Sequence, residues 1–246
     1  MRALLARGVV VAIAATLILG GPVAADILGT PGDDESGGTH VSTAQQLSPE
    51  QAPSSRGLNT RTFTTGESPL QPDSPNQGWW GTTPNNSAND NYIVGHIGDG
   101  GLHRNFFTFD ISSLHRRVVW ARLDIYSADL QGNPTERLGL FDVSTTAKPL
   151  NANTGRNRNI YRDLGSGRSY GYFDVNTLND DQWLSFRLNR AAERNIDETT
   201  RRYFSIGGRL LSVGSPDDAP EYLFGNSHLR DLTIRLVVRT VPRGPR

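Results

Sequence analysis

Hydrophobic and polar residues alternate most regularly over residues 104–126, where the sequence reads RNFFTFDISSLHRRVVWARLDIY. The alternation has a period of two, which is typical of β-strands, whereas a helix spaces its apolar residues three or four apart. The first run predicts a strand that turns Phe107 and Phe109 to one face, and the second predicts a strand that turns Val119 and Leu123 to one face. The opposite face of the second strand would carry Trp120, Arg122, Asp124 and Tyr126. Because a short polar segment joins the two runs, the pattern predicts a β-hairpin.

Shorter alternating runs recur along the chain and predict further strands at residues 59–65, 92–97, 137–143, 170–175, 183–188, 203–206, 222–224 and 232–238. One segment, NRAAERNI at residues 189–196, predicts a helix, because Asn189 can cap it and its alanines favour it. The helix is short, which is typical of a connector between strands. Many short strands with turn signals between them predict an all-β fold, an antiparallel jelly-roll-like β-sandwich with one short connector helix.

The N-terminal residues 1–25 have the pattern of a secretory signal peptide. Arg2 and Arg7 precede an apolar run over residues 8–19, and small residues at 23–25 suit the cleavage position. The apolar run is shorter than a bilayer span requires, and no cysteine follows it to carry a lipid. We therefore expect a secreted protein, periplasmic or extracellular, without membrane attachment after cleavage.

The remaining chain divides by composition. Residues 26–57 are rich in Gly, Ser, Pro, Asp, Gln and Thr, which predicts a disordered linker, with a loosely docked arm anchored by Val41 and Leu47 as the alternative. Residues 58–241 are predicted to form the β-sandwich domain, and residues 242–246 a short disordered tail. The chain has no cysteine, so its stability must come from core burial or bound ions.

Charge and motifs exclude several functions. The chain has 25 basic and 25 acidic side chains, so net charge gives no electrostatic basis for binding nucleic acid. No HExxH motif and no G-x-S-x-G turn are present, and we predict no catalytic residue. An enzyme with two carboxylates stays an alternative, because its acids can lie far apart in sequence. His96 and His103 flank a glycine-rich turn, a spacing compatible with zinc but not specific for it.

Adjacent tryptophans, Trp79 and Trp80, stand in the proline-containing segment 67–91, where no strand is predicted. Exposed indoles stack on the apolar faces of sugar rings, so the pair predicts a carbohydrate-binding platform. The alternative is that they anchor this segment beneath the sandwich, because large aromatic side chains are usually buried. Tyr126, Tyr170 and Tyr172 are further candidates for stacking on a sugar.

Oxygen-rich loops at residues 85–91 and at the turn after residue 97 predict a structural calcium site, with Asp90 and Asp99 as ligands. EF-hand spacing is absent, so the pattern is not specific for calcium. Asp110, followed by two serines, is predicted to cap the turn after its strand, with a metal ligand as the alternative role. No other cofactor is expected.

Several residues resemble a known family. Arg104, the run FDIS at residues 109–112 and Leu114, followed by alternating apolar residues to Ile125, resemble the core of DNRLRE-type domains. These domains are secreted bacterial β-sandwiches linked to carbohydrate-binding modules. The strings NYIVG, RNFFTFD, LFDVS, IYRDLGSG and FSIGGRL are also similar to exported proteins of bacteria that carry PEP-CTERM sorting signals.

The resemblance implies a secreted module that binds carbohydrate or another component of the cell envelope or matrix. Two departures accompany it: no proline follows Leu114, and residues 241–246 lack the apolar helix of a sorting signal, which predicts a free secreted product. The alternatives are a structural or adhesive surface protein that engages protein partners, and a polysaccharide-active enzyme.

Overall fold

The computed structural model describes residues 41–43, 45–46, 58–71, 74–85, 91–225 and 232–243. Its strands are β1 (Val41–Thr43), β2 (Gln45–Gln46), β3 (Asn59–Thr64), β4 (Gln77–Gly81), β5 (Val94–His96), β6 (His103–Asp110), β7 (Arg117–Ser127), β8 (Asp129–Gln131), β9 (Thr135–Asp142), β10 (Ser169–Asn176), β11 (Gln182–Arg187), β12 (Tyr203–Leu210), β13 (Glu221–Gly225) and β14 (Arg235–Val241). Its helices are α1 (Ala147–Asn151), α2 (Arg158–Asp163) and α3 (Arg190–Glu198). The predicted signal peptide and most of the predicted linker lie outside the described residues.

The strands form two sheets. The first has the order β1-β10-β9-β12-β6-β5-β13-β8, and β4 also pairs with β6, on the edge opposite β12. The second has the order β2-β11-β7-β14-β3. Within the part of the chain that the structure describes, every strand pairing is antiparallel except that of β1 with β10. The prediction of an all-β, antiparallel, sandwich-like fold is confirmed.

The main core lies between the two sheets. Phe107 and Phe109 of β6 belong to the same buried cluster as Leu123 of β7, so the inner faces of both sheets contribute to it. Helix α3 adds Ala192 and Ile196 to this cluster. It is the predicted connector helix, and it links β11 in the second sheet to β12 in the first.

A smaller apolar cluster covers part of the outer face of the first sheet. Trp80 of β4 and Phe106 of β6 pack there against Leu150 of α1 and against Ile160 and Leu164 in and after α2. Strand β6 is therefore buried on both faces. The helices α1 and α2, which the alternation of residues did not predict, account for this second layer.

The predicted hairpin over residues 104–126 is wrong, because β6 lies in the first sheet and β7 in the second. After β6 the chain crosses between the sheets, with the amide of Ile111 donating to the carbonyl of Arg202 at 2.9 Å. The amide of Ser112 donates to the Asp110 carboxylate at 3.0 Å, which confirms the predicted turn cap. Alternation shows which face of a strand is buried, but it does not show which strand is the neighbour.

A β-bulge corrects the predicted inner face of β7. Trp120 pairs with Arg239, whereas the next pair joins Val118 to Thr240, so Val119 has no direct partner. The extra residue shifts the alternation by one position. Val118 therefore enters the core in place of the predicted Val119.

Two predicted irregular segments contain strands. Strand β4 lies within the segment 67–91, and β1 and β2 lie within the predicted linker 26–57. Val41 is paired in parallel with Tyr172, so this part of the linker forms a sheet edge. In the described part of the chain, no helix is long and apolar enough to cross a membrane.

Candidate functional site

The outer face of the second sheet carries aromatic and arginine side chains on three neighbouring strands. On β7, Ala121, Leu123 and Ile125 are buried in the core, so the residues between them face outward. Strands β11 and β14 flank β7 and add their own outward residues. We call this surface the aromatic–arginine face, and it consists of Trp120, Arg122, Asp124, Tyr126, Trp183, Ser185, Arg187, Arg235, Val237 and Arg239.

Trp120 lies at one end of the aromatic–arginine face, among three guanidinium groups. The guanidinium carbon lies 4.6 Å from the Trp120 ring centroid for Arg239, 5.0 Å for Arg187 and 5.6 Å for Arg122. Arg239 is the direct cross-strand partner of Trp120. These distances are those of cation–π contacts, which hold the indole and the guanidinium groups in fixed relative positions.

The other end of the face holds Tyr126 and Trp183. Their rings are cross-strand partners with centroids 5.6 Å apart in an edge-to-face arrangement. The guanidinium carbon of Arg235 lies 4.1 Å from the Trp183 centroid. The Tyr126 hydroxyl donates to Asp181 at 3.3 Å, and partial desolvation together with the Asp181 carboxylate raises the pKa of Tyr126, which keeps its hydroxyl neutral.

Positive charge exceeds negative charge on this surface. Arg122 is ion-paired to the buried Asp124 at 2.7 Å, and Arg187 is ion-paired to Glu193. Arg235 and Arg239, by contrast, form no ion pair within the described ranges. Two guanidinium groups therefore remain available to an anion, each beside an aromatic ring.

The aromatic–arginine face is extended in one direction. Trp120 and Tyr126 are six residues apart on one strand, which corresponds to about 20 Å at about 3.3 Å per residue. A sheet surface of this length has room for several contact points along an extended molecule. It does not enclose a small molecule as a cavity does.

The structure corrects the prediction of an exposed tryptophan platform. Trp79 and Trp80 lie on β4 and are only 9% and 3% exposed. The indole N–H of Trp80 donates to the carbonyl of Leu150 at 2.9 Å, and the Trp79 ring contacts His103 edge to face at 4.4 Å. Because the pair is packed inside the fold, the alternative interpretation as a buried anchor describes it.

The three candidate tyrosines lie in different places. Tyr126 belongs to the aromatic–arginine face. Tyr172 lies on the other sheet, with its ring 6.1 Å from that of Phe141 and 5.8 Å from the Arg137 guanidinium. Tyr170 is fully buried in the main core and cannot touch a large ligand. The structure therefore does not bring the predicted ligand-binding residues together.

The predicted calcium ligands have separate outcomes. Asp90 lies outside the described residues. Asp99 accepts the amide of Gly101 at 3.0 Å, and its other oxygen is 3.4 Å from Nε2 of His103, whose pKa burial lowers despite the nearby carboxylate. Within the ranges that the structure describes, no group of three or more His, Cys, Asp or Glu side chains is placed to hold a metal ion. A calcium site at Asp99 stays a prediction.

The sequence did not identify Trp120, Trp183, Arg235 or Arg239 as functional residues. In the sequence, each of them is only an aromatic or arginine residue in a predicted strand, which does not by itself indicate a binding site. The strand order β11-β7-β14 places the four side chains on one surface, and only this arrangement indicates a site.

No protein-family model matches this chain, and no curated protein matches it. The chemistry of its surfaces is therefore what supports a functional proposal.

Proposed function

We propose that this protein is a non-catalytic binding module for an anionic polysaccharide, which it holds along the aromatic–arginine face. The observation that supports the proposal is the repeated pairing of an aromatic ring with an arginine. Arg239 lies 4.6 Å from the Trp120 ring, and Arg235 lies 4.1 Å from the Trp183 ring. The apolar faces of sugar rings stack on aromatic side chains, and their acid groups form charge-assisted hydrogen bonds with guanidinium groups.

The charge distribution favours an acidic over a neutral polymer. Arg122 and Arg187 are occupied by carboxylates of the protein, but Arg235 and Arg239 have no such partner in the described residues. A polymer with a carboxylate or sulfate on each repeat would supply the missing anions. A neutral polymer would leave this positive charge without a counterpart.

The length of the face favours a polymer over a single sugar. Binding across about 20 Å lets several weak stacking and ionic contacts add up along one chain. The same surface agrees with the expectation of an exported module that binds cell-envelope or matrix material, which stays a prediction.

Affinity electrophoresis tests the proposal directly. The protein is run in native gels that contain polygalacturonate, and in parallel gels that contain neutral hydroxyethyl cellulose. We expect retardation by polygalacturonate only. The double substitution Arg235→Gln, Arg239→Gln should weaken this binding at least about tenfold, since each charge-assisted contact contributes about 1.5–3 kcal/mol in favourable geometry.

The matched control is Arg156→Gln, Arg158→Gln, which removes two exposed arginines on the segment that begins α2. It has the same charge change but leaves the aromatic–arginine face intact, so its retardation should equal that of the wild type. Equal loss of binding in both double variants would show that only net charge matters, and would overturn the assignment to this face. Release of reducing ends from polygalacturonate would instead identify an enzyme.

A further inference from the structure

A cavity opens at the end of the first sheet, where strands β9 and β12 stop pairing. The last pair of their ladder joins Asp142 to Ile206. Beyond that pair lies a cavity of about 310 Å³, whose lining includes Asp142, Asn195, Arg201, Tyr203 and Ser205. An adjoining recess of about 210 Å³ shares three of these residues. The larger volume falls within the range of small-molecule sites, about 300–1,000 Å³.

The hydroxyl of Tyr170 fixes two side chains in the wall of this cavity. It donates to Oδ1 of Asp142 at 2.8 Å and accepts from Nδ2 of Asn195 at 2.9 Å. Burial raises the pKa of Tyr170, so its hydroxyl stays a neutral donor. Within the described chain, Oδ2 of Asp142 and Oδ1 of Asn195 accept no hydrogen bond. The wall therefore offers two hydrogen-bond acceptors in fixed positions.

The cavity also offers donors and an apolar contact. Arg201 lines both the cavity and the recess, and it has no ion-pair partner among the described residues. The second arginine of the recess, Arg202, is bound to Asp110 and contributes no free charge. The half-buried ring of Tyr203 and the side chain of Val143 supply an apolar wall.

The charge of the cavity differs from that of the aromatic–arginine face. Among the described residues, two carboxylates, Asp142 and Glu198, line it together with the unpaired guanidinium of Arg201. An acidic polymer would therefore be repelled here. A neutral ligand with several hydroxyl groups can donate to the carboxylate and amide oxygens and accept from the guanidinium group.

We propose that this cavity binds a single neutral sugar unit. Hydroxyl groups of the sugar donate to Asp142 and Asn195, the guanidinium of Arg201 donates to the sugar, and Tyr203 contacts the ring. Tyr170 is a positioning residue, because it acts only through the two side chains that it holds. The site lies on the first sheet and is separate from the aromatic–arginine face of the second.

Saturation-transfer NMR with D-glucose, D-galactose, D-mannose and N-acetyl-D-glucosamine tests the proposal, with D-glucuronate as the charged comparison. We expect at least one neutral sugar to bind and D-glucuronate to bind more weakly. Arg201→Ala removes a hydrogen-bond donor, and Asp142→Asn replaces an acceptor oxygen with a donor NH2 group. Each should therefore weaken that binding about tenfold. Both positions are at the surface of the cavity, so the variants should keep the wild-type circular dichroism spectrum.

The terminal sugar of a polysaccharide and a free monosaccharide present the same chemical groups to the cavity. Comparing an oligosaccharide with a monosaccharide tests how many sugar units the cavity binds. Maltotriose should bind no more tightly than D-glucose if glucose is the sugar that binds. An affinity for the trisaccharide more than about tenfold higher would show that several units are bound, and would overturn the single-unit proposal.

The role of Tyr170 has a spectroscopic test. Tyr170→Phe keeps the buried ring and removes the hydroxyl, so the Asn195 side-chain amide resonance should move even without ligand, and sugar affinity should fall. A variant that loses affinity while that resonance stays unchanged would contradict a positioning role.

Trp183→Ala is the matched control from the other site. It should leave monosaccharide binding unchanged while it weakens retardation by polygalacturonate, so the two proposals fail independently. The inference is overturned if none of the four neutral sugars binds the wild-type protein, or if Arg201→Ala and Asp142→Asn both bind as the wild type does.

Discussion

Arg202 and Asp110 form an ion pair of 2.7 Å that ties the segment preceding β12 to the last residue of β6. Asp110 is also the residue from which the chain leaves the first sheet, and it caps that turn through the amide of Ser112. One carboxylate therefore fixes both the exit from β6 and the approach to its neighbour β12.

The Asp110 carboxylate should make the protein sensitive to acid. Burial alone would raise the pKa of Asp110, yet the hydrogen bonds from Arg202 and Ser112 outweigh it and hold that pKa well below its usual value. A depressed pKa in the folded state gives stability that is complete above the unfolded-state pKa of about 3.9. This stability is lost as the pH falls through the folded-state pKa.

Thermal unfolding between neutral and acid pH checks this dependence. Asp110→Asn should have a lower midpoint than the wild type at pH 7, and the difference should narrow in acid. The control Asp180→Asn removes an exposed carboxylate without hydrogen bonds in the described residues, so its curve should follow the wild type. Parallel curves for Asp110→Asn and the wild type would contradict the assigned role.

The two tryptophan sites should separate stability from binding. Trp80 is buried and donates to the carbonyl of Leu150, so Trp80→Ala should lower the free energy of unfolding by about 3–5 kcal/mol. Trp183 is half-buried on the aromatic–arginine face, so Trp183→Ala should change stability much less but weaken polysaccharide binding. Denaturant unfolding measures the stability of both variants, and affinity electrophoresis measures their polysaccharide binding. Equal destabilisation by both would contradict the distinction.

The class of fold could be predicted from the sequence because burial leaves a local pattern. Along β11 the buried Leu184 and Phe186 alternate with half-buried or exposed residues, and Asn189 marks the start of α3. The period of the alternation and the helix cap depend only on neighbouring residues. They are therefore readable without knowledge of the tertiary structure.

Strand partners depend on contacts between distant residues and could not be predicted in the same way. Neither the crossing between β6 and β7 nor the bulge at Val119 produces a recognisable periodicity in the sequence. Strand β4 was missed because all five of its residues are buried, so it shows no alternation of buried and exposed positions. The aromatic–arginine face was missed for the same reason, since Trp120 and Arg239 meet only through the pairing of β7 with β14.

Close packing of the residue that follows α2, Leu164, on β12 depends on Gly207. A Cβ atom at this position would lie 2.6 Å from the carbonyl oxygen of Leu164, which is closer than side-chain carbons approach backbone. Gly207→Ala should therefore force the segment after α2 away from the sheet and destabilise the protein by about 1–3 kcal/mol. Urea unfolding measures the change.

Gly155→Asn is the control for this substitution. Gly155 has a φ of 76° and no atom within 4 Å of an added Cβ, and Asn tolerates that backbone conformation. Its stability should stay close to that of the wild type. If Gly207→Ala were equally harmless, the contact between Leu164 and β12 would not be tight.

Two buried carboxylates, Glu136 and Glu221, lie close together. Their effect on the stability of the fold should depend on pH in the opposite direction to that of Asp110. Glu136 accepts hydrogen bonds from the amide of Asn133 and the hydroxyl of Ser212, while Glu221 accepts from the side chain of Asn133. Burial raises the pKa of Glu136, and the adjacent Glu221 carboxylate raises it further. In the interval between the unfolded-state and the raised folded-state pKa, the folded protein binds more protons, so its stability falls as the pH rises.

Glu136→Gln removes the charge while keeping an acceptor for Asn133. We expect this variant to unfold at a higher temperature than the wild type at pH 7, and to lose the decline in midpoint that the wild type shows as the pH rises above about 4.3, the usual pKa of glutamate. Glu136→Ala serves as the control, since it leaves Asn133 and Ser212 without their acceptor and should destabilise at every pH. A Glu136→Gln variant that is less stable than the wild type at pH 7 would show that the ionised carboxylate is the stabilising form.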